Sequence, residues 1–163
     1  MNTSYYSSPL GQLEIKSFNN CITSIKFIDQ PQPSKAFKSS DKLLLKCFKE
    51  LDEYFEGTRK DFSFPINQEG TDFQKIVWTS LTTIPYGKTI SYAQLSQKLG
   101  DIKKIRAVGT SNGKNNLAIV IPCHRVIGSN NQLVGYAGGL WRKQWLLNHE
   151  AKFAHGIEQL KLL

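Results

Sequence analysis

The chain has 163 residues, 40% of them apolar and 11% aromatic, enough to bury a core in one ordinary domain or two small ones. Charged residues make up 21%, with 12 Gly and 6 Pro, which excludes a disordered or collagen-like chain. The N-terminus lacks the basic start and apolar run of a secretory leader. The longest apolar run, 117–122, is far short of a membrane span. Three cysteines cannot all pair within one chain, so the sequence reads as cytoplasmic, with thiols used for packing or chemistry.

The net charge of +8 is unevenly placed. Residues 1–72 hold nine Lys/Arg and ten Asp/Glu, whereas residues 73–163 hold twelve and three. Gathering like charges on one half costs self-repulsion unless a polyanion relieves it, so the second half points to a nucleic-acid partner.

In chain order, Leu13, Ile15 and Cys21–Phe27 have strand character, with Asn19-Asn20 as a two-residue hairpin signal. Residues 30–34 form a Pro-rich loop. A helix is predicted from about Asp41, with Leu44, Cys47, Leu51 and Tyr54 on one face and Gly57 as its stop. Residues 62–66 alternate as a short edge strand. Cys21 and Cys47 are expected in this core, and all three histidines lie after residue 123, which disfavours a metal site in the first half.

The boundary falls at 67–70, dividing the chain into 1–70, a small N-terminal α/β domain, and 71–163, a mostly helical C-terminal domain. Thr71-Asp72-Phe73-Gln74 and Ser91-Tyr92-Ala93-Gln94 are capping boxes, each opening a helix. Lys103–Asn112 supplies the next helix, so that the last two form a helix-turn-helix pattern. On it, Ala107, Gly109 and Ser111 permit close approach to a nucleic-acid backbone. Arg106, the long cation among them, suits a phosphate contact or entry into the base stack when a nucleotide leaves it.

Residues 117–121 read as a strand buried on both faces, delivering Cys123, His124 and Arg125 at its end. A neighbouring imidazolium or guanidinium would favour the thiolate, the attacking form. Adjacent strand residues point to opposite faces, so His124 would act on Cys123 through water unless the chain turns there. Few carboxylates remain to orient the imidazole. Glu150, at the end of a helix over 140–149, is the better candidate. Gly135-Tyr136-Ala137-Gly138-Gly139 is a loop that bends or approaches something closely. It matches no nucleotide-binding pattern, so no cofactor is implied.

Together these residues resemble a known family. Ile121-Pro122-Cys123-His124-Arg125-Val126 is similar to the active-site signature of the O6-alkylguanine-DNA alkyltransferases. The likeness extends to Phe73–Trp78, Ile84–Gly87, Ser91-Tyr92, Arg106–Gly109, Asn115, Gly135–Gly139 and Trp145–Glu150, in the family's order over 71–150. It implies an α+β protein: a ribonuclease H-like, mainly antiparallel N-terminal domain before a winged helix-turn-helix-like domain. That second domain would dock in the minor groove of double-stranded DNA and flip out O6-alkylguanine, with O4-alkylthymine as a second substrate. Cys123 would accept the alkyl group irreversibly, in a single turnover, by a monomer that needs no metal.

On the same resemblance His124 is the base acting through water and Glu150 the carboxylate behind it. Tyr92 assists departure of the guanine, and Asn115 is the hinge between recognition helix and active site. Ser91, Arg106, Ala107, Gly109 and Arg125 are placed on DNA, with Arg106 filling the vacated stack. Val134, Tyr136, Ala137 and Gly138 surround the base. Two other readings stand beside this one. A Cys–His thiol hydrolase would turn over repeatedly, and a non-enzymatic alkylated-DNA sensor would carry another residue at the Cys123 position.

Overall fold

The computed structural model describes residues 1–33 and 41–156. Ser34, expected in the Pro-rich loop, and the tail over 157–163 lie outside them. The chain forms two compact units: Met1–Glu69 with Asn116–Val120, and Gly70–Asn115 with Ile121–Leu163.

The first unit is built on an antiparallel meander of β1 (Asn2–Ser8), β2 (Gly11–Phe18) and β3 (Cys21–Ile28). The β2–β3 turn uses Asn19 and Asn20 at φ 49° and 58°, the left-handed pair that an Asn-Asn hairpin supplies. Alternation along β2 turns Leu13 and Ile15 into the core beside Ile22 and Ile25 of β3. α1 (Lys42–Glu56) is capped by Asp41, whose carboxylate accepts from the Leu43 and Leu44 amides, and stopped by Gly57 at φ 85°. Its inner face is Leu44, Cys47, Leu51 and Tyr54, as the spacing predicts, joined by Leu43.

One strand is added here and two expectations are corrected. β1 carries only short polar residues and two tyrosines and gives no strand signal, yet it pairs along its whole length with β2. Residues 62–66 contribute a single bridge from Ile66 to Ile22 rather than a strand. Of the two cysteines, Cys47 is buried, its thiol pushed up to about 12 by burial and nearby Glu50, while Cys21 is only half-buried.

The second unit holds α2 (Asp72–Leu81), α3 (Tyr92–Lys98), α4 (Ile105–Gly113) and α5 (Leu140–His155). Both capping boxes form in full, at Thr71 with Gln74 and at Ser91 with Gln94. α2 packs on α4, where the Trp78 indole donates to the Ser111 carbonyl at 2.8 Å, and α3 packs on α4. β4 (Ile90–Ser91) runs parallel to β5 (Val126–Ile127), pairing Ser91 with Ile127. This two-residue ladder, invisible in the sequence, brings the start of α3 beside the residues that follow His124.

Residues 117–121 are not a strand. Leu117 bridges to Ile25, the chain then turns with Ile119 at φ 72°, and only alternate side chains are fully buried. A short apolar run states burial, not conformation. Among the described residues no helix is long and apolar enough to cross a membrane.

Candidate active site

Cys123, His124 and Arg125 lie on a single 3₁₀ turn that opens after Pro122, so the chain does turn where the sequence predicts a strand end. The turn and helix α5 together bury an ionic cluster. Nε2 of His124 is 2.7 Å from Oε2 of Glu150, and both residues are 0% exposed. Arg125 grips the same carboxylate with two nitrogens, Nε to Oε1 at 2.7 Å and Nη2 to Oε2 at 3.1 Å, and donates Nη1 to the Ile84 carbonyl. Burial works against the charge of Glu150, yet His124 and Arg125 hold its carboxyl well below the usual carboxylate range. Glu150 is not at a helix end, because α5 continues to His155.

Arg125 is a correction. Expected at the DNA surface, it is 5% exposed and wholly engaged with Glu150 and Ile84. Its charge stabilises the buried carboxylate, and through it His124. Burial lowers the His124 pKa against the pull of Glu150, which favours a neutral imidazole. With Nε2 held by Glu150, the other ring nitrogen, Nδ1, is buried with no hydrogen-bond partner among the described residues.

The Cys123 thiol is pushed up, not down, because burial outweighs the opposing influences of the Asn115 side chain and the Lys143 charge. The expected cation beside the thiol is therefore Lys143, not an imidazolium or Arg125. Lys143, on α5, is 0% exposed, with Nζ donating to the carbonyls of Val134 at 2.8 Å and Gly135 at 3.1 Å. It lies 5.9 Å from the Tyr92 ring centre. Burial lowers its pKa to about 8, against the raising influence of Cys123. In the sequence a lysine in an amphipathic helix looks like a solvated charge, and the glycine loop before α5 is the available hint.

The other expected residues fall in two groups. Asn115 donates Nδ2 to the Ile121 carbonyl at 2.9 Å, tying the end of α4 to the reactive turn. The Tyr92 hydroxyl lies 3.4 Å from the Val134 carbonyl, and burial with nearby Cys123 raises its pKa. The Tyr136 phenol is pushed well above its ordinary range by burial and by Cys123 and Glu150 nearby.

Tyr92, Arg106, Gly109 and Val134 line one open groove of about 330 Å³, together with Ile105 and Gly135. Ser91 lines an adjoining polar groove, Ala107 is exposed on α4, Ala137 is exposed in the glycine loop, and the Gly138 carbonyl accepts from Arg142. The structure thus gathers a thiol, a neutral imidazole with its carboxylate, a phenol and an ammonium. Next to them runs a groove carrying an exposed arginine.

Residues 72–152 match the family model described as 6-O-methylguanine DNA methyltransferase, DNA binding domain, and residues 1–68 match its ribonuclease-like domain. The methylated-DNA–protein-cysteine methyltransferase of Mycobacterium leprae is 40% identical over 145 residues, covering 88% of each chain. The constitutive Bacillus subtilis protein of that name is 41% identical over 156 residues, covering 90% of this chain and 94% of its own. Among solved structures, Mycobacterium tuberculosis O6-methylguanine methyltransferase matches with a TM-score of 0.82 at 34% identity over 93% of both chains. The same organism's OGT in complex with DNA matches at 0.83 and 37% identity over 94% of both. The chain belongs to the 6-O-methylguanine DNA methyltransferase family.

Proposed function

We infer that this protein repairs DNA by moving the alkyl group of O6-alkylguanine, or of O4-alkylthymine, irreversibly to Cys123. Binding and transfer are assigned to 71–163, with 1–70 as the accompanying N-terminal domain, in a cytoplasmic monomer. The observation that carries this reading is the buried Glu150–His124 pair beside Cys123, with Tyr92 and Arg106 on the adjoining groove.

Displacement at an alkyl carbon needs a thiolate, and an ordinary thiol is only a few per cent ionised at neutral pH. Burial lowers that fraction further in Cys123. His124, kept neutral by burial and oriented by Glu150, takes the thiol proton at Nδ1 through a water, and Lys143 favours the resulting anion. Sγ then bonds the alkyl carbon as the carbon–O6 bond breaks, and the electron pair stays on the guanine. Tyr92 supplies a donor as that charge develops. Extruding the base costs a few kcal/mol of unstacking, which Arg106, exposed on α4, offsets by entering the duplex. Ser91, Ala107 and Gly109 approach the backbone, while Val134, Tyr136, Ala137 and Gly138 enclose the base. The thioether is not readily hydrolysed, so each molecule reacts once.

The test is a titration of a duplex containing one O6-methylguanine, with the digested nucleosides quantified. Restoration of one guanine per protein, with no further conversion on longer incubation, supports the proposal. Binding without restoration indicates a damage sensor, and repeated turnover indicates a hydrolase.

A further inference from the structure

Asn112, on α4, is 5% exposed, and its amide lies between Tyr92 and Cys123. Nδ2 reaches two acceptors, Oη of Tyr92 at 3.5 Å and the Cys123 carbonyl at 3.4 Å. Oδ1 is buried and has no hydrogen-bond partner among the described residues. A buried acceptor left unmade is unfavourable, and an apolar side chain of the same shape would avoid the penalty. What such a side chain would lose is the donor. By donating to Oη, Asn112 occupies a lone pair of the phenol and leaves the Tyr92 proton for another acceptor, at present the Val134 carbonyl on the groove wall. These contacts are long, as suits a hydroxyl that must exchange one acceptor for another when a base enters.

We propose that Asn112 is a positioning residue for alkyl transfer: its Nδ2 holds the Tyr92 oxygen so that the Tyr92 O–H faces the groove and meets the departing guanine. The proposal rests on the transfer reading above. The Sγ–carbon bond forms as the carbon–O6 bond breaks, with that electron pair going to guanine. The thiol proton passes to His124 and on to solvent, and the guanine takes one proton from solvent after leaving. Tyr92 only donates a hydrogen bond. That donation is stronger when its oxygen is itself hydrogen-bonded, in keeping with the lowering influence of Asn112 on the Tyr92 pKa.

The experiment measures single-turnover methylation of Cys123 on an O6-methylguanine duplex. It compares the wild type with Asn112→Leu, Asn112→Asp, Tyr92→Phe and the Leu/Phe double variant. Asn112→Ser serves as a second non-bridging variant should the leucine impair folding. Asn112→Leu and Tyr92→Phe each slow transfer about tenfold, and the double variant is no slower than Tyr92→Phe alone. Asn112→Asp is slower than Asn112→Leu, because a carboxylate accepts the phenol proton and turns it away from the groove.

Free O6-benzylguanine and its 8-aza analogue, whose leaving base is more acidic, give a readout that a structural fault would not move. The Asn112→Leu deficit shrinks on the analogue. Additive losses in the double variant, equal deficits on the two bases, or a wild-type rate for Tyr92→Phe would each overturn the proposal. Failure of wild-type Cys123 to be methylated would overturn the transfer reading itself, and this inference with it.

Discussion

His124 and Glu150 are 26 residues apart in sequence and 2.7 Å apart in space, with neither accessible to solvent. The contact is part of a three-residue cluster, because Arg125 holds the same carboxylate in a two-point grip. Glu150 therefore both sets the imidazole and neutralises a buried guanidinium.

Replacing Glu150 with Gln would keep the shape and remove the charge, leaving Arg125 buried without its counter-ion. Breaking a buried pair in this way costs about 3 kcal/mol or more. Urea denaturation of Glu150→Gln should show a loss of that order, and alkyl transfer under conditions where the variant remains folded should fall at least tenfold. Unchanged stability would mean that the Arg125 grip contributes little.

Lys143 gives a pH dependence with a defined sign. Its pKa is near 8 in the folded chain, below the ordinary 10.5. Between those values the unfolded chain binds a proton that the folded chain has released, so this group makes stability rise with pH across that window. Below about 8 both states hold the proton and the full penalty, about 3 kcal/mol, is present. The stability of the wild type relative to Lys143→Met should therefore increase from pH 8 to pH 10, measured by denaturant unfolding. A flat difference would show that the ammonium is not destabilised by burial.

Arg106 separates duplex work from chemistry. It is exposed on α4, lining the groove with Tyr92 and Val134. Arg106→Ala should slow repair of an O6-alkylguanine duplex at least tenfold and leave the reaction with free O6-benzylguanine within about twofold. Equal losses on both substrates would remove its role in the stack.

How far the sequence reaches depends on where the determining interaction lies. The helix starts at Asp41, Thr71 and Ser91 and the Asn19-Asn20 turn are set by neighbours in the chain, and the structure places them as expected. Cys123, His124, Glu150 and Tyr92 stand out in the sequence because the motifs around them resemble those of a family, and the structure pairs His124 with Glu150 and sets Tyr92 near Cys123. What the sequence misplaced depends on contacts distant in the chain. Arg125 turns inward because Glu150 and the Ile84 carbonyl receive it, and Lys143 is buried because the Val134 and Gly135 carbonyls accept its hydrogen bonds. Residues 117–121 bend at Ile119 despite an apolar composition that fits a strand equally well.

The most direct measurement is intact-mass spectrometry of the protein after mixing with a duplex containing one O6-methylguanine, with Cys123→Ser as control. The account requires the gain of one methylene unit, mapped to the peptide bearing Cys123 and absent in the control, while both proteins bind the duplex equally. No gain in mass despite intact binding, or a gain that persists in Cys123→Ser, would contradict it.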